Sequence, residues 1–396
     1  MRIAIITDAY PPMRTSGAVQ VRDLAGEFVR QGHAPVVLVT ATDICEPFVH
    51  EKLAGVDVLR IKAPPTKDVG YVRRTLAELF MPFAMLRGFR ASPFGATRWE
   101  GVVWYSPSIF HGPMVRALKR ASACRGYLIL RDIFPEWAVD MGLMGRGLPY
   151  RFFKAIERYQ YSVADVIGAQ TQGNLAYFFD WVTRGGRRVE VLQNWLADAP
   201  NRGCSISVRD TPLAGRKVFV YAGNMGVAQG MGVLLDLAES LKDTADIGFL
   251  FVGRGSDAQR LRSDASMRGL ENVVFFDEID PNEIPGLYAQ CHVGLVALDP
   301  RHKTHNIPGK FLSYMQSGLP VLASINPGND LVGLIEKERV GRVCTDTSVE
   351  SLRHLALSLG AEMDVDESIM NRCKALAAKL FSPEVAVKQI VEALQA

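Results

Sequence analysis

Short apolar runs recur along the chain, and between them apolar positions return every three or four residues. RIAIIT (2–7) is a continuous apolar run, the pattern of a parallel strand buried on both faces. After the Pro/Gly-rich YPPMRTSGA, Val21, Leu24, Ala25 and Phe28 fall on one face of a helix that Gly32 ends, and APVVLVTA (34–41) is the next strand. That is one βαβ unit. Further strands are expected at VDVLRI (56–61), VVWYS (102–106), YLILR (127–131), DVIGAQ (165–170) and VEVLQN (189–194). Periodicity then lapses and turn formers gather over 194–216. The pattern restarts with KVFVYAG (217–223), a helix through Leu234, Leu235, Ala238 and Leu241, and IGFLFVG (247–253). NVVFF (272–276), VGLVAL (293–298), PVLAS (320–324) and GRVC (341–344) follow, each separated by a helical stretch.

This order predicts two doubly wound α/β domains with parallel sheets, one over 1–195 and one over 217–380, joined by a linker over 196–216. A last helix, within 381–396, is expected to return to the first domain. In such folds ligands bind outside the carboxyl ends of the strands, here expected to face each other across a cleft.

Composition fits that picture. The 396 residues are 48% hydrophobic and 22% charged, as in a folded protein of two domains. The longest apolar stretches are far too short to span a bilayer, and the apolar start before Thr7 and Asp8 reads as a first strand and not a signal peptide. The six cysteines form no CxxC pair, so neither a zinc site nor a disulfide framework is indicated. A cytoplasmic protein is expected. The net charge of +3 hides an asymmetry: residues 1–195 carry 25 Lys/Arg against 17 Asp/Glu (+8), and the remainder 20 against 25 (−5). A basic first half suits an anionic partner such as a membrane surface, a phosphorylated lipid or a nucleic acid.

Candidate chemistry gathers at strand-to-helix junctions. TSGAVQ (15–20), YAGNMGVAQG (221–230) and Pro308-Gly309-Lys310 each combine small residues with a helix start, a combination that favours an anion. Lys310 is the sharpest signal. It lies in the first turn of HNIPGKFLSYMQSGLPVLAS (305–324), where the helix dipole makes a cation unfavourable by roughly 0.3–1 kcal/mol unless an anion answers it. Arg254, in Val252-Gly253-Arg254-Gly255, is a further phosphate contact, and no acidic residue stands where a dinucleotide fingerprint needs one. In LRDIFPEWAVDMG (130–142), Asp132 either takes a proton from an acceptor hydroxyl or caps the following helix, while Glu136 reads as structural. His111 is open between the two kinds of role. In YVRRTLAELFMPFAMLRGFR (71–90), apolar residues alternate with Arg73, Arg74, Arg87 and Arg90. This is either an amphipathic element lying in a membrane interface or a helix closing the first domain, kinked at Pro82.

The motifs TDAYPPMRTSGA, RDIFPEWAVDMG, VLQNW, YAGNMGVAQGMGVLLD and PGKFLSYMQSGLPVLAS, in that order, resemble those of GT-B glycosyltransferases of family GT4 over essentially the whole chain. Among these the chain is most similar to the L-fucosamine-type transferases of bacterial surface polysaccharides. The resemblance implies two Rossmann-like domains, a UDP-sugar donor held mainly by the C-terminal one, retention of configuration, and no metal or other cofactor. It implies transfer of an N-acetylated amino sugar to a lipid-linked saccharide at the inner membrane face, as in lipopolysaccharide, O-antigen or capsule synthesis. The partners are then that donor, that acceptor and the membrane surface, with no nucleic acid.

Donor contacts would fall on Gly17, Gly223, Asn224, Arg254, Glu278, Ile279, His305, Pro308, Gly309, Lys310 and Ser313. Asp132, Arg131 and Lys310 would carry the chemistry. Five positions depart from the family. His305 and Ser313 stand where relatives place two glutamates, Asn224 and Gln229 where they place a basic pair, and Arg131 where they place a histidine. Two other readings fit the architecture: a UDP-sugar 2-epimerase, and a non-catalytic binding subunit.

Overall fold

The computed structural model describes residues 1–13, 15–66, 69–185, 187–226, 229–299, 307–346 and 348–396. The chain forms two compact units, Met1–Leu196 together with Pro383–Ala396, and Ala197–Ser382.

The first unit holds an eight-stranded sheet. Its strands are β1 (Arg2–Thr7), β2 (Ala34–Ala41), β3 (Phe48–Leu53), β4 (Val56–Lys62), β5 (Gly101–Tyr105), β6 (Arg125–Leu130), β7 (Val166–Ala169) and β8 (Arg188–Val191), in the order β3-β4-β2-β1-β5-β6-β7-β8. All pair in parallel except β3, which runs antiparallel to β4. The central strands are apolar on both sides because helices cover both faces; five of the six β1 residues are buried. β3 was absent from the expected strands. None of its positions is buried, and its hairpin turns through Ala54 and Gly55 at φ +48° and +85°, a conformation that alanine rarely signals.

The first helix, Ser16–Arg30, buries Val21, Leu24, Ala25 and Phe28, and Thr15 caps its start by accepting from the Ala18 N–H. The last helix, Pro383–Gln395, completes this unit. Val387, Ile390 and Ala393 join the core cluster of Ile3, Ile5, Val21 and Phe28, and the Gln389 amide donates to Glu190 and to the Val191 carbonyl at 2.8 Å each.

The second unit holds six parallel strands, β9 (Lys217–Ala222), β10 (Ile247–Val252), β11 (Val273–Phe276), β12 (Val293–Ala297), β13 (Val321–Ser324) and β14 (Gly341–Cys344). Their order is β11-β10-β9-β12-β13-β14. Chain order reverses between β9 and β12, so the loops after these two strands part at the topological switch point. Residues 197–216, read from the sequence as a linker, belong to this unit. Ile206, Val208 and Leu213 are buried, and the Val208 N–H donates to Gln290 at 2.9 Å.

Candidate functional site

In the second unit the carboxyl ends of β9 and β10 are drawn together by glycine. Gly253 has φ +144°, and a Cβ there would overlap the Gly223 carbonyl, itself on a residue at φ +138°. The Gly223 N–H donates to Val252 at 2.9 Å, Met225 to Arg254 at 2.8 Å, and Gly253 to Phe276 at 3.2 Å. The loop after β9 therefore prolongs the sheet. Within the loop expected to meet an anion, the Gly223 N–H is thus engaged with the sheet.

The helix Gly309–Ser317 follows β12 and is fixed from below. The Tyr314 hydroxyl donates toward the Val220 and Leu295 carbonyls at 3.0 and 3.2 Å, and its ring lies so close over Gly294 that no Cβ fits there. Pro308 is the N-cap, outside the first turn, and supplies no side-chain acceptor, so among the described residues no side chain caps the first N–H groups of the helix. Gly309 is exposed beside them.

Lys310 lies at that terminus, half-buried. Its ammonium donates to the Tyr221 hydroxyl at 2.9 Å and stands 4.2 Å from the centre of the Tyr221 ring. The Tyr221 hydroxyl donates onward to the Asn224 carbonyl at 2.7 Å. Among the described residues no carboxylate pairs with Lys310, and burial alone pushes its pKa down to about 8. Helix terminus and ammonium thus form one positively polarised end of the unit, beside the glycine loop. Tyr221, which ties Lys310 to the loop, was missed; its only signal was an aromatic residue directly before Ala222-Gly223.

The other expected donor residues are placed as follows. Arg254 is exposed and pairs with Glu278 at 2.9 Å, which brings the ends of β10 and β11 together. Ile279, two residues beyond Asp277, is half-buried. The Asn224 side chain donates to Gln229 at 3.2 Å, and Gln229 also accepts from the Gly226 N–H, so this uncharged pair holds the loop. Ser313 is half-buried, one turn beyond Gly309. His305 lies outside the described residues. Gly17 is in the first unit, in the first turn of its helix, where a Cβ would touch the Tyr105 ring at 3.4 Å.

In the first unit, Arg131 is a buried tie. It donates to the Leu192 and Gln193 carbonyls at 2.9 and 3.4 Å and stacks 4.7 Å from the Trp195 ring, while the Trp195 indole donates to Gln20 at 2.7 Å. That explains RD and VLQNW as one packed joint, with Arg131, expected from the sequence to carry chemistry, buried within it. Asp132 is half-buried, three residues ahead of Pro135, the N-cap of the following helix Glu136–Asp140. Glu136 accepts from Tyr150 at 2.9 Å and pairs with Lys154 at 2.8 Å, the structural role read for it. His111 is fully buried; neither ring nitrogen has a partner among the described residues, and burial lowers its pKa. Among the described residues no group of three His, Cys, Asp or Glu is placed to hold a metal ion.

Two Rossmann-like parallel-sheet units of this topology define the GT-B fold. Residues 216–359, within the second unit, match the family described as Glycosyl transferases group 1. Among curated proteins the chain is similar to WcaI of Escherichia coli (strain K12), assigned to glycosyl transfer in colanic acid biosynthesis. The two are 25% identical over 280 residues, 64% of this chain and 65% of WcaI. The chain spans about three fifths of the length of the curated relatives it matches, 60% and 65%. Among solved structures, sucrose-phosphate synthase from Thermosynechococcus elongatus superposes with a TM-score of 0.74 at 15% identity, covering 99% of this chain and 97% of that one. HepE of Anabaena, solved with UDP and glucose, gives 0.68 at 15% identity, covering 100% and 99%.

Proposed function

We propose that the chain is a glycosyltransferase that moves an N-acetylated amino sugar from a UDP-sugar to a lipid-linked saccharide during synthesis of a surface polysaccharide. The observation that carries this reading is Lys310, a half-buried cation at a helix terminus, with neither a capping side chain nor a carboxylate partner among the described residues. It lies within the segment that matches Glycosyl transferases group 1. As the glycosidic bond to the donor breaks, negative charge grows on the departing diphosphate. An ammonium and oriented N–H groups already in place stabilise that charge without reorganisation, each by roughly 3–4 kcal/mol by analogy with oxyanion sites. The protein's own cation fills the part that a metal ion would otherwise play, and the sugar keeps its configuration. Asp132 is the candidate group on the acceptor side. UDP as the nucleotude carrier is supported by its presence in HepE, and the polysaccharide setting by WcaI.

The test is a thermal-shift screen of UDP-, GDP- and dTDP-sugars, followed by transfer assays with the selected donor. A ligand at 100 times its Kd stabilises by about 2.7 kcal/mol. Lys310→Ala is expected to lower turnover at least about tenfold with the fold intact; turnover near the parent's refutes the assignment. Donor binding without transfer to any acceptor identifies a binding subunit, and isomer formation without an acceptor identifies an epimerase. The likeness to sucrose-phosphate synthase favours a second reading, a soluble sugar-phosphate acceptor, which predicts transfer in the absence of lipid.

A further inference from the structure

The helix Tyr71–Ala91 buries one face and leaves the opposite one bare. Ala77, Met81, Met85, Gly88 and Phe89 are buried, and Met81, Met85 and Phe89 join the core of the first unit. On the other side Val72, Leu76, Phe80 and Phe83 are 77%, 51%, 60% and 56% exposed. Positions 72, 76, 80, 83, 87 and 90 are separated by threes and fours, so Arg87 and Arg90, both exposed, continue the same stripe. From Val72 to Arg90 it runs about 27 Å at 1.5 Å per residue. Large apolar side chains seldom stay contiguous on a surface that meets only water.

Charge narrows the choice of partner. Arg73, Arg87 and Arg90 have no ion-pair partner among the described residues. Glu78, the one acidic residue of this helix, is turned toward the shielded side with its side chain 18% exposed, and pairs with Arg74 at 2.9 Å. A second copy of this face would bring no carboxylate to meet the arginines. No helix among the described residues is long and apolar enough to cross a membrane, so any lipid contact made here is from the side.

We propose that this face docks on an anionic lipid bilayer, with Leu76, Phe80 and Phe83 at the level where headgroups meet acyl chains and Arg73, Arg87 and Arg90 on the lipid phosphates. A helix lying in the interface gains from buried apolar area and from each cation held near the anionic surface. The proposal goes beyond glycosyl transfer and stands without it, because docking is read with neither donor nor acceptor present.

The full chain is floated with vesicles of phosphatidylcholine alone or of phosphatidylcholine mixed with phosphatidylglycerol. Binding is expected to the mixed vesicles and not to the neutral ones, and to weaken with salt. Phe80→Ser/Phe83→Ser and Arg87→Glu/Arg90→Glu should each lower partitioning at least about tenfold. Both pairs change exposed side chains, and an unchanged melting temperature confirms that each variant is folded. Absence of binding by the folded parent, or equal partitioning of parent and variants, overturns the proposal. A concentration-dependent dimer that Phe80→Ser/Phe83→Ser abolishes also overturns it, in favour of a second copy as the occupant.

Discussion

Replacing Lys310 by Met separates what this residue does for the fold from what it does for a ligand. Met keeps an unbranched stem and removes the charge. An ammonium with a pKa of about 8 in place of the ordinary 10.5 is disfavoured in the folded state by about 3 kcal/mol at neutral pH. Relief of the unfavourable helix dipole adds a few tenths of a kcal/mol, and loss of the hydrogen bond to Tyr221 takes back about 1 kcal/mol. Lys310→Met should therefore stabilise the second unit by about 2 kcal/mol, a rise of about 4–8 °C in its melting temperature.

The sign with pH follows from the lowered pKa. Between about 8 and 10.5 the unfolded chain holds more protons than the folded one, so the parent gains stability as pH rises through that window. The advantage of the Met variant should be full below about pH 8 and fade toward about pH 10.5. The assay is urea unfolding of parent and variant at both ends of the window, with UDP titrated calorimetrically at neutral pH. Unchanged or lower stability together with unchanged UDP affinity would refute the reasoning, because the charge would then be neither strained nor used.

Three further outcomes are expected. UDP affinity should be flat below about pH 8 and fall about tenfold per pH unit above it as free Lys310 loses its proton, which calorimetry across that range reads directly. Gly253→Ala forces a side chain into a left-handed backbone against the Gly223 carbonyl, and urea unfolding should register a loss of about 3 kcal/mol or more. Arg131→Met leaves the Leu192 and Gln193 carbonyls without a buried donor and should destabilise the first unit by about 2–4 kcal/mol in the same assay. Lys at position 131 should not restore that loss, because an ammonium lacks the planar fork that both stacks on Trp195 and reaches two carbonyls.

The central strands were legible because burial on both faces leaves an uninterrupted apolar run, as in β1 and β10. β3 was not, since a half-shielded edge strand of FVHEKL has no such run and its turn is made by Ala54. Lys310 stood out because its charge is wrong for its place on a helix, a purely local conflict. The packing of Arg131 was hidden because its partners follow β8, 61 and 62 positions along the chain. At Gly223 glycine marks close backbone approach, but sequence does not say that one approaching group is the neighbouring Gly253.

The last helix gives the chain an order of assembly that its numbering conceals. Gln31 donates to the Glu384 carbonyl across 353 positions, and Val387 and Ile390 fill the same core as Ile3 and Phe28. During synthesis the first unit cannot close its core until residues 383–396 have been made, whereas the second is a single uninterrupted stretch, Ala197–Ser382. The unit translated second is thus free to finish folding first. The apolar surface awaiting the last helix on the first sheet is where a nascent or truncated chain would be most exposed to aggregation and to chaperones.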